Sequence, residues 1–114
     1  MTHRRQLRGV ELRYALTMFL FQHGAKTVAD LIEALEYQCF EIPGRASKVV
    51  SDALRAEIAH GRVIRLKRGR YGPGEMPRCT EYRIHQRVLD LREEAAIIAS
   101  QADNDAAFWD ALLA

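Results

Sequence analysis

The chain has 114 residues, 48% of them hydrophobic, and a formal charge of +2, which suits one domain with a real core and excludes a disordered polyelectrolyte. Its apolar runs, such as Met18-Phe19-Leu20-Phe21, do not exceed five residues, far too short for a membrane span. Arg4 and Arg5 are not followed by an apolar segment with a small-residue cleavage site, so no signal peptide is expected.

Cys39 and Cys79 are isolated, with no C-x-x-C pair and no Cys/His spacing suited to a metal. Reduced thiols, a cytoplasmic location and no cofactor follow as expectations. The charge is unevenly spread. Residues 1–87 carry sixteen Lys/Arg against nine Asp/Glu, whereas residues 88–114 carry one basic residue, Arg92, against six acids. Such asymmetry suits a body that faces a polyanion and a tail that points elsewhere.

In chain order, residues 1–8 form a short basic arm (His3, Arg4, Arg5, Arg8), expected to be mobile. Leu12, Leu16, Phe19 and Leu20 recur at helical spacing and predict a helix from Val10 to Gln22, stopped by Gly24. Thr27 and Asp30 are placed to cap a second helix with Val28, Leu31, Ile32 and Leu35 as its buried stripe. It ends near Tyr37 to Phe40, before the Pro43-Gly44 break. A third helix runs from about Arg45 to His60 and is ended by Gly61. Ala46, Val50, Ala53, Leu54 and Ile58 lie toward one side; Arg45, Ser47, Lys48, Ser51 and Arg55 lie toward the other.

Next, Val63 to Lys67 alternates apolar and cationic residues, and Thr80 to Ile84 alternates again after a loop rich in Pro and Gly. Together these predict a long-looped β-hairpin over residues 61–84 with a cationic tip. A last long helix is predicted from about His85 to Ala102, where Ile84, Val88, Leu91, Ala95, Ile98 and Ala102 make a heptad-like seam. Asp103-Asn104-Asp105 is expected to interrupt it and cap a short helix whose apolar face is Phe108, Trp109, Leu112 and Leu113.

Helix, helix, helix, hairpin is the order of elements in a winged helix-turn-helix domain. The passage Val50-x-x-Ala53-Leu54-Arg55, then Gly61-x-Val63-x-Arg65, resembles the recognition-helix-to-wing passage of bacterial winged helix regulators. Arg68-Gly69-Arg70-Tyr71 looks like the tip of such a wing. The expected fold class is therefore mainly α with a small β-hairpin: a winged helix-turn-helix over residues 1–84 and a C-terminal helical extension over residues 85–114.

The resemblance implies a sequence-specific double-stranded DNA-binding protein and a transcriptional regulator of the bacterial nucleoid. No nucleophile motif, phosphate loop or carboxylate pair is evident, so an enzyme is not expected. Arg45, Ser47, Lys48, Ser51 and Arg55 would meet the major groove, where arginine or lysine can read guanine and serine can bond base or phosphate. Arg65, Lys67, Arg68 and Arg70 of the wing would lie along backbone or enter the minor groove. Val88, Leu91, Ala95, Ile98, Phe108, Trp109 and Leu112 are the candidate homodimer contacts; packing of the same helix on its own domain is the alternative. No small-molecule effector is evident. Two other functions stay open: an architectural DNA binder of low specificity, and a winged helix protein-interaction module.

Overall fold

The computed structural model describes residues 4–113, without the side chains of 102–108. The chain is mainly helical with a small antiparallel sheet. Its elements are β1 (Arg5–Gln6), α1 (Gly9–His23), β2 (Lys26–Thr27), α2 (Val28–Tyr37), β3 (Phe40–Glu41), α3 (Ala46–Ala59), β4 (Val63–Lys67), β5 (Arg70–Pro73) and α4 (Arg78–Leu113).

α1 is the central post. A helix apolar on more than one side must be covered on more than one side. Leu12, Ala15, Leu16 and Leu20 are accordingly buried together with Leu31 and Leu35 of α2, Val50, Ala53 and Leu54 of α3, and Leu91 and Ala95 of α4. A smaller cluster joins Met18 of α1 to Ile84 and Val88 of α4, with Tyr14 and Met76 against it.

α2 begins on the expected cap. The Asp30 N–H donates to Thr27 Oγ1 (3.1 Å), and the Thr27 N–H donates to Asp30 Oδ2 (3.3 Å). Reciprocal capping satisfies two amide donors that the first helical turn cannot satisfy itself. Just past the end of α2, Cys39 adopts φ 68°, a left-handed conformation ordinarily left to glycine, and turns the chain into β3.

Residues 5–7 of the expected arm are not free. Arg5 and Gln6 pair in parallel with Phe40 and Glu41, and the Leu7 N–H donates to the Glu41 carbonyl at 2.9 Å. Leu7 is fully buried. Arg5 bonds Glu11 of α1 (2.9 Å) and Glu94 of α4 (3.0 Å), while Arg87 of α4 also bonds Glu11. Glu94 and Glu11 hold the Arg5 guanidinium above its ordinary pKa.

The hairpin differs from expectation in its return strand. β5 is Arg70–Pro73, not Thr80–Ile84, and the turn is the tight Arg68-Gly69 connection. Gly69, at φ 75°, supplies the left-handed conformation that lets two residues reverse the chain. β5 lies between β4 and β2, antiparallel to both, so the sheet order is β2-β5-β4. At its base the Gly74 N–H donates to the Arg62 carbonyl (2.8 Å) and the Glu75 N–H to the Gly61 carbonyl (3.0 Å). A Cβ at Gly74 would lie 2.3 Å from the Gly61 carbonyl oxygen, so only glycine fits there.

Residues 80–84 are helical instead. Pro77 precedes α4, where its missing N–H costs nothing, and the Glu81 N–H donates to the Pro77 carbonyl at 3.0 Å. From there Ile84, Val88, Leu91 and Ala95 recur along one face onto α1. α4 has no break at residues 84–85 and none at Asp103-Asn104-Asp105; it is one helix of 36 residues. Its first half closes the core and its second half extends the molecule to 54 Å along its longest axis. No helix among the described residues is long and apolar enough to cross a membrane.

Candidate nucleic-acid interface

α3 presents the first half of the candidate surface. The chain enters it through Pro43 and Gly44, and Arg45 flanks its first turn in extended conformation without capping it through a side chain. Val50, Ala53, Leu54 and Glu57 face inward. Arg45, Ser47, Lys48, Asp52 and Arg55 are exposed and Ser51 is half-buried. Positions 48, 52 and 55 fall on one strip of helix surface. Asp52 lies between the two cations: its carboxylate is 3.8 Å from Lys48 Nζ and 3.5 Å from Arg55 Nη1.

The β4–β5 hairpin presents the second half. Arg65, Lys67, Arg68 and Arg70 are all exposed. A bulge between Arg65 and Lys67 shifts the register so that Lys67 stands opposite Arg70. Arg70 reaches toward the start of α2: its charge and that of Lys26 add to the Thr27 hydrogen bonds, which are the main cause of Asp30 staying ionised below the ordinary carboxylate pKa. Ile64 and Leu66 are also exposed, at 45% and 52%. Leu66 lies over Gly72, where a Cβ would meet it at 3.2 Å.

Four other cations of the body, Arg5, Arg13, Arg62 and Arg87, are held by acids of the fold. Arg13 and Arg62 both bond Glu57, which has no exposed surface. Arg13 Nε donates to Oε1 at 3.1 Å and Arg62 Nη2 to the same oxygen at 2.9 Å, with Arg62 Nε on Oε2. The Arg62 guanidinium also sits 5.9 Å from the Tyr14 ring centroid. The Glu57 hydrogen bonds hold the Arg62 guanidinium above its ordinary pKa. This cluster ties α1, the end of α3 and the entry of β4 together. Arg5 and Arg87 are engaged likewise with Glu11 and Glu94. Among the described residues, Arg45, Arg65, Lys67, Arg68 and Arg70 make no ion pair. The cations singled out from the sequence are turned to water, as are Arg4, Arg8, Arg78, Arg83 and Arg92 elsewhere on the chain.

Neither Asp52's position between Lys48 and Arg55 nor the Glu57 cluster was foreseen. The first had a signal in the sequence, since Asp52 is four residues after Lys48 and three before Arg55. The second had little: Arg62 is five residues from Glu57 but beyond the end of the helix, and Arg13 is 44 residues away.

The candidate dimer residues fall into two groups. Val88, Leu91 and Ala95 are buried inside the chain's own core. They cannot serve a partner without unfolding the domain, which corrects that expectation. Ile98 is half-buried, while Trp109 and Leu112 are each 60% exposed on the projecting half of α4. Phe108 lies outside the residues whose side chains are described. Cys39 is half-buried and Cys79 exposed, both as free thiols; Cys79 lies in the first turn of α4, not in the hairpin. Among the described residues no cluster of His, Cys, Asp and Glu has the geometry of a metal site.

No family model, no curated protein and no solved structure matches the chain significantly.

Proposed function

We propose that the chain is a winged helix-turn-helix protein that binds double-stranded DNA sequence-specifically, as a homodimer and a transcriptional regulator in the cytoplasm, on the nucleoid. One observation carries the reading. Seven exposed cations, Arg45, Lys48, Arg55, Arg65, Lys67, Arg68 and Arg70, gather on the outer strip of α3 and the β4–β5 hairpin, while Arg5, Arg13, Arg62 and Arg87 are held in internal ion pairs and Arg4, Arg8, Arg78, Arg83 and Arg92 are exposed elsewhere. Of these seven, Lys48 and Arg55 reach one exposed acid, Asp52, in pairs that add little stability, and a phosphate backbone is the ligand that gains most from the group.

The order of elements supports the reading. α1, β2, α2, β3, α3, β4 and β5 follow one another, three helices with short strands between them and then a hairpin, and the β2-β5-β4 order gives the hairpin a third strand that anchors it to the helices. α3 would be the recognition helix, its N-terminal Arg45, Ser47 and Lys48 meeting base edges in the major groove and Ser51 and Arg55 holding base or backbone. The hairpin would be the wing, with Arg65, Lys67, Arg68 and Arg70 on backbone or in the minor groove. Dimerisation would use the projecting half of α4, through Ile98, Trp109 and Leu112.

Exposed Ile64 and Leu66 on the wing favour a second reading, an architectural binder that wedges apolar side chains between base steps and bends the duplex. Selection of bound duplexes from a random pool separates the two. A specific dimeric regulator enriches a palindrome with half-sites about one helical turn apart; an architectural binder enriches flexible steps without a fixed site; a pool that never binds rejects DNA altogether.

A further inference from the structure

α3 has two acids, and the fold treats them differently. Glu57 is withdrawn from solvent and neutralised by Arg13 and Arg62. Asp52 stands on the outward strip, its side chain 51% exposed, between Lys48 at 3.8 Å and Arg55 at 3.5 Å. Exposed pairs at such distances on a helix surface add little stability. A carboxylate midway along a strip that meets DNA is, moreover, a liability wherever the strip lies on phosphate. Stability accounts for Glu57 and does not account for Asp52.

We infer that Asp52 is a specificity-determining residue of α3: its carboxylate accepts a hydrogen bond from the exocyclic amine of a cytosine in the major groove and opposes every register that puts phosphate or a base acceptor there instead. The inference rests on the reading of α3 as the recognition helix. The chemistry of the groove supports it. Cytosine offers only the N4 amine donor at its major-groove edge, and an acidic side chain is its natural acceptor. Guanine, on the same base pair, offers two acceptors to a neighbouring Arg or Lys. Lys48 and Arg55 flank Asp52 one turn to either side, so an acceptor between two donors matches a run of G·C pairs better than an all-cationic strip would. On random sequence the same carboxylate keeps Lys48 and Arg55 partly neutralised and weakens the salt-dependent attraction that dominates non-specific binding.

The test compares the full chain with its Asp52→Asn and Asp52→Ala variants by competition binding. The probes are the duplex recovered by pool selection and a random-sequence duplex of equal length, at physiological salt. The exposed position leaves the fold intact, which the unfolding midpoint checks. Both variants should bind random duplex more tightly than the wild type and lose about tenfold in the ratio of selected to random affinity, the discrimination one good base contact supplies. Reselection with Asp52→Ala should relax one base position of each half-site. If the wild type discriminates and both variants keep the same ratio, Asp52 has no part in specificity while the reading of α3 stands. If the wild type fails to bind either duplex, that reading fails first and the inference with it.

Discussion

At Glu57 a carboxylate lies wholly beneath the surface, and its two arginines reach it from α1 and from the entry to β4. Removing one member of a buried pair strands the others' charge in a poor solvent, which costs more than the pair's own attraction contributes. Glu57→Ala should therefore lower stability by about 3 kcal/mol, read from the midpoint of urea unfolding; a loss under about 1 kcal/mol would mean that water reaches Arg13 and Arg62 readily. Asp30 makes the pH-dependent prediction. The Thr27 hydrogen bonds favour its ionised form, so the folded chain binds the proton less readily than the unfolded chain does. The stabilisation is complete above the ordinary value of 3.8 and fades as the pH falls through the lower folded value. Asp30→Asn should flatten stability against pH in that acid range and leave the slope near neutrality alone. An unchanged acid limb would remove Asp30 from the account.

At the scale of elements, α1, α2 and α3 were legible because their apolar spacing and their breakers agree: Gly24, the Thr27–Asp30 cap, Gly44 and Gly61 all stand where a helix begins or ends. The return strand was not. Arg70-Tyr71-Gly72-Pro73 contains a Gly and a Pro, which weaken any strand signal, while Thr80 to Ile84 alternates well enough to imitate one. Tertiary context decided between them. Ile84 is wanted in the core beside Met18 and Val88, and that demands helical spacing. The two-residue strands β1 and β3 are too short for any periodicity and exist through each other and the buried Leu7. The cationic half of the candidate site was legible as charge; which cations are structural was not, because ion pairs such as Arg13–Glu57 span the chain. The hairpin's part in binding is open to measurement. Arg68→Ala with Arg70→Ala should lower the dependence of log affinity on log salt by about one for each phosphate no longer neutralised, and an unaltered slope would mean that the hairpin points away from DNA.

The whole molecule is a body joined to one end of its own longest helix. The first half of α4 is core: Val88, Leu91 and Ala95 fill space that α1 alone leaves open. The second half projects, with Ile97, Trp109, Leu112 and Leu113 exposed. A chain cut after residue 86 loses the buried Val88, Leu91 and Ala95 and should not fold, since burying a Val or Leu alone contributes about 1.5–3 kcal/mol. A chain ending at residue 99 retains every core residue found buried among the described residues. It should keep a cooperative melting transition and sediment as a monomer where the full chain sediments as a dimer; a shortened chain that still dimerises would move the interface elsewhere. The heptad seam was visible in the sequence, but whether it faces its own body or a second copy was not, because both satisfy the same apolar spacing. The structure gives Ile84, Val88, Leu91 and Ala95 of it to the body and leaves Ile98 half-buried.

The central claim is that α3 and the hairpin form one surface for duplex DNA, and α3 is its test. In Lys48→Ala/Arg55→Ala both outward cations of the strip are gone, and neither residue is buried, so the fold should survive. Affinity for the selected duplex, measured by fluorescence anisotropy at physiological salt, should fall by at least about 2 kcal/mol, roughly thirtyfold. A folded double variant that binds as tightly as the wild type would contradict the claim.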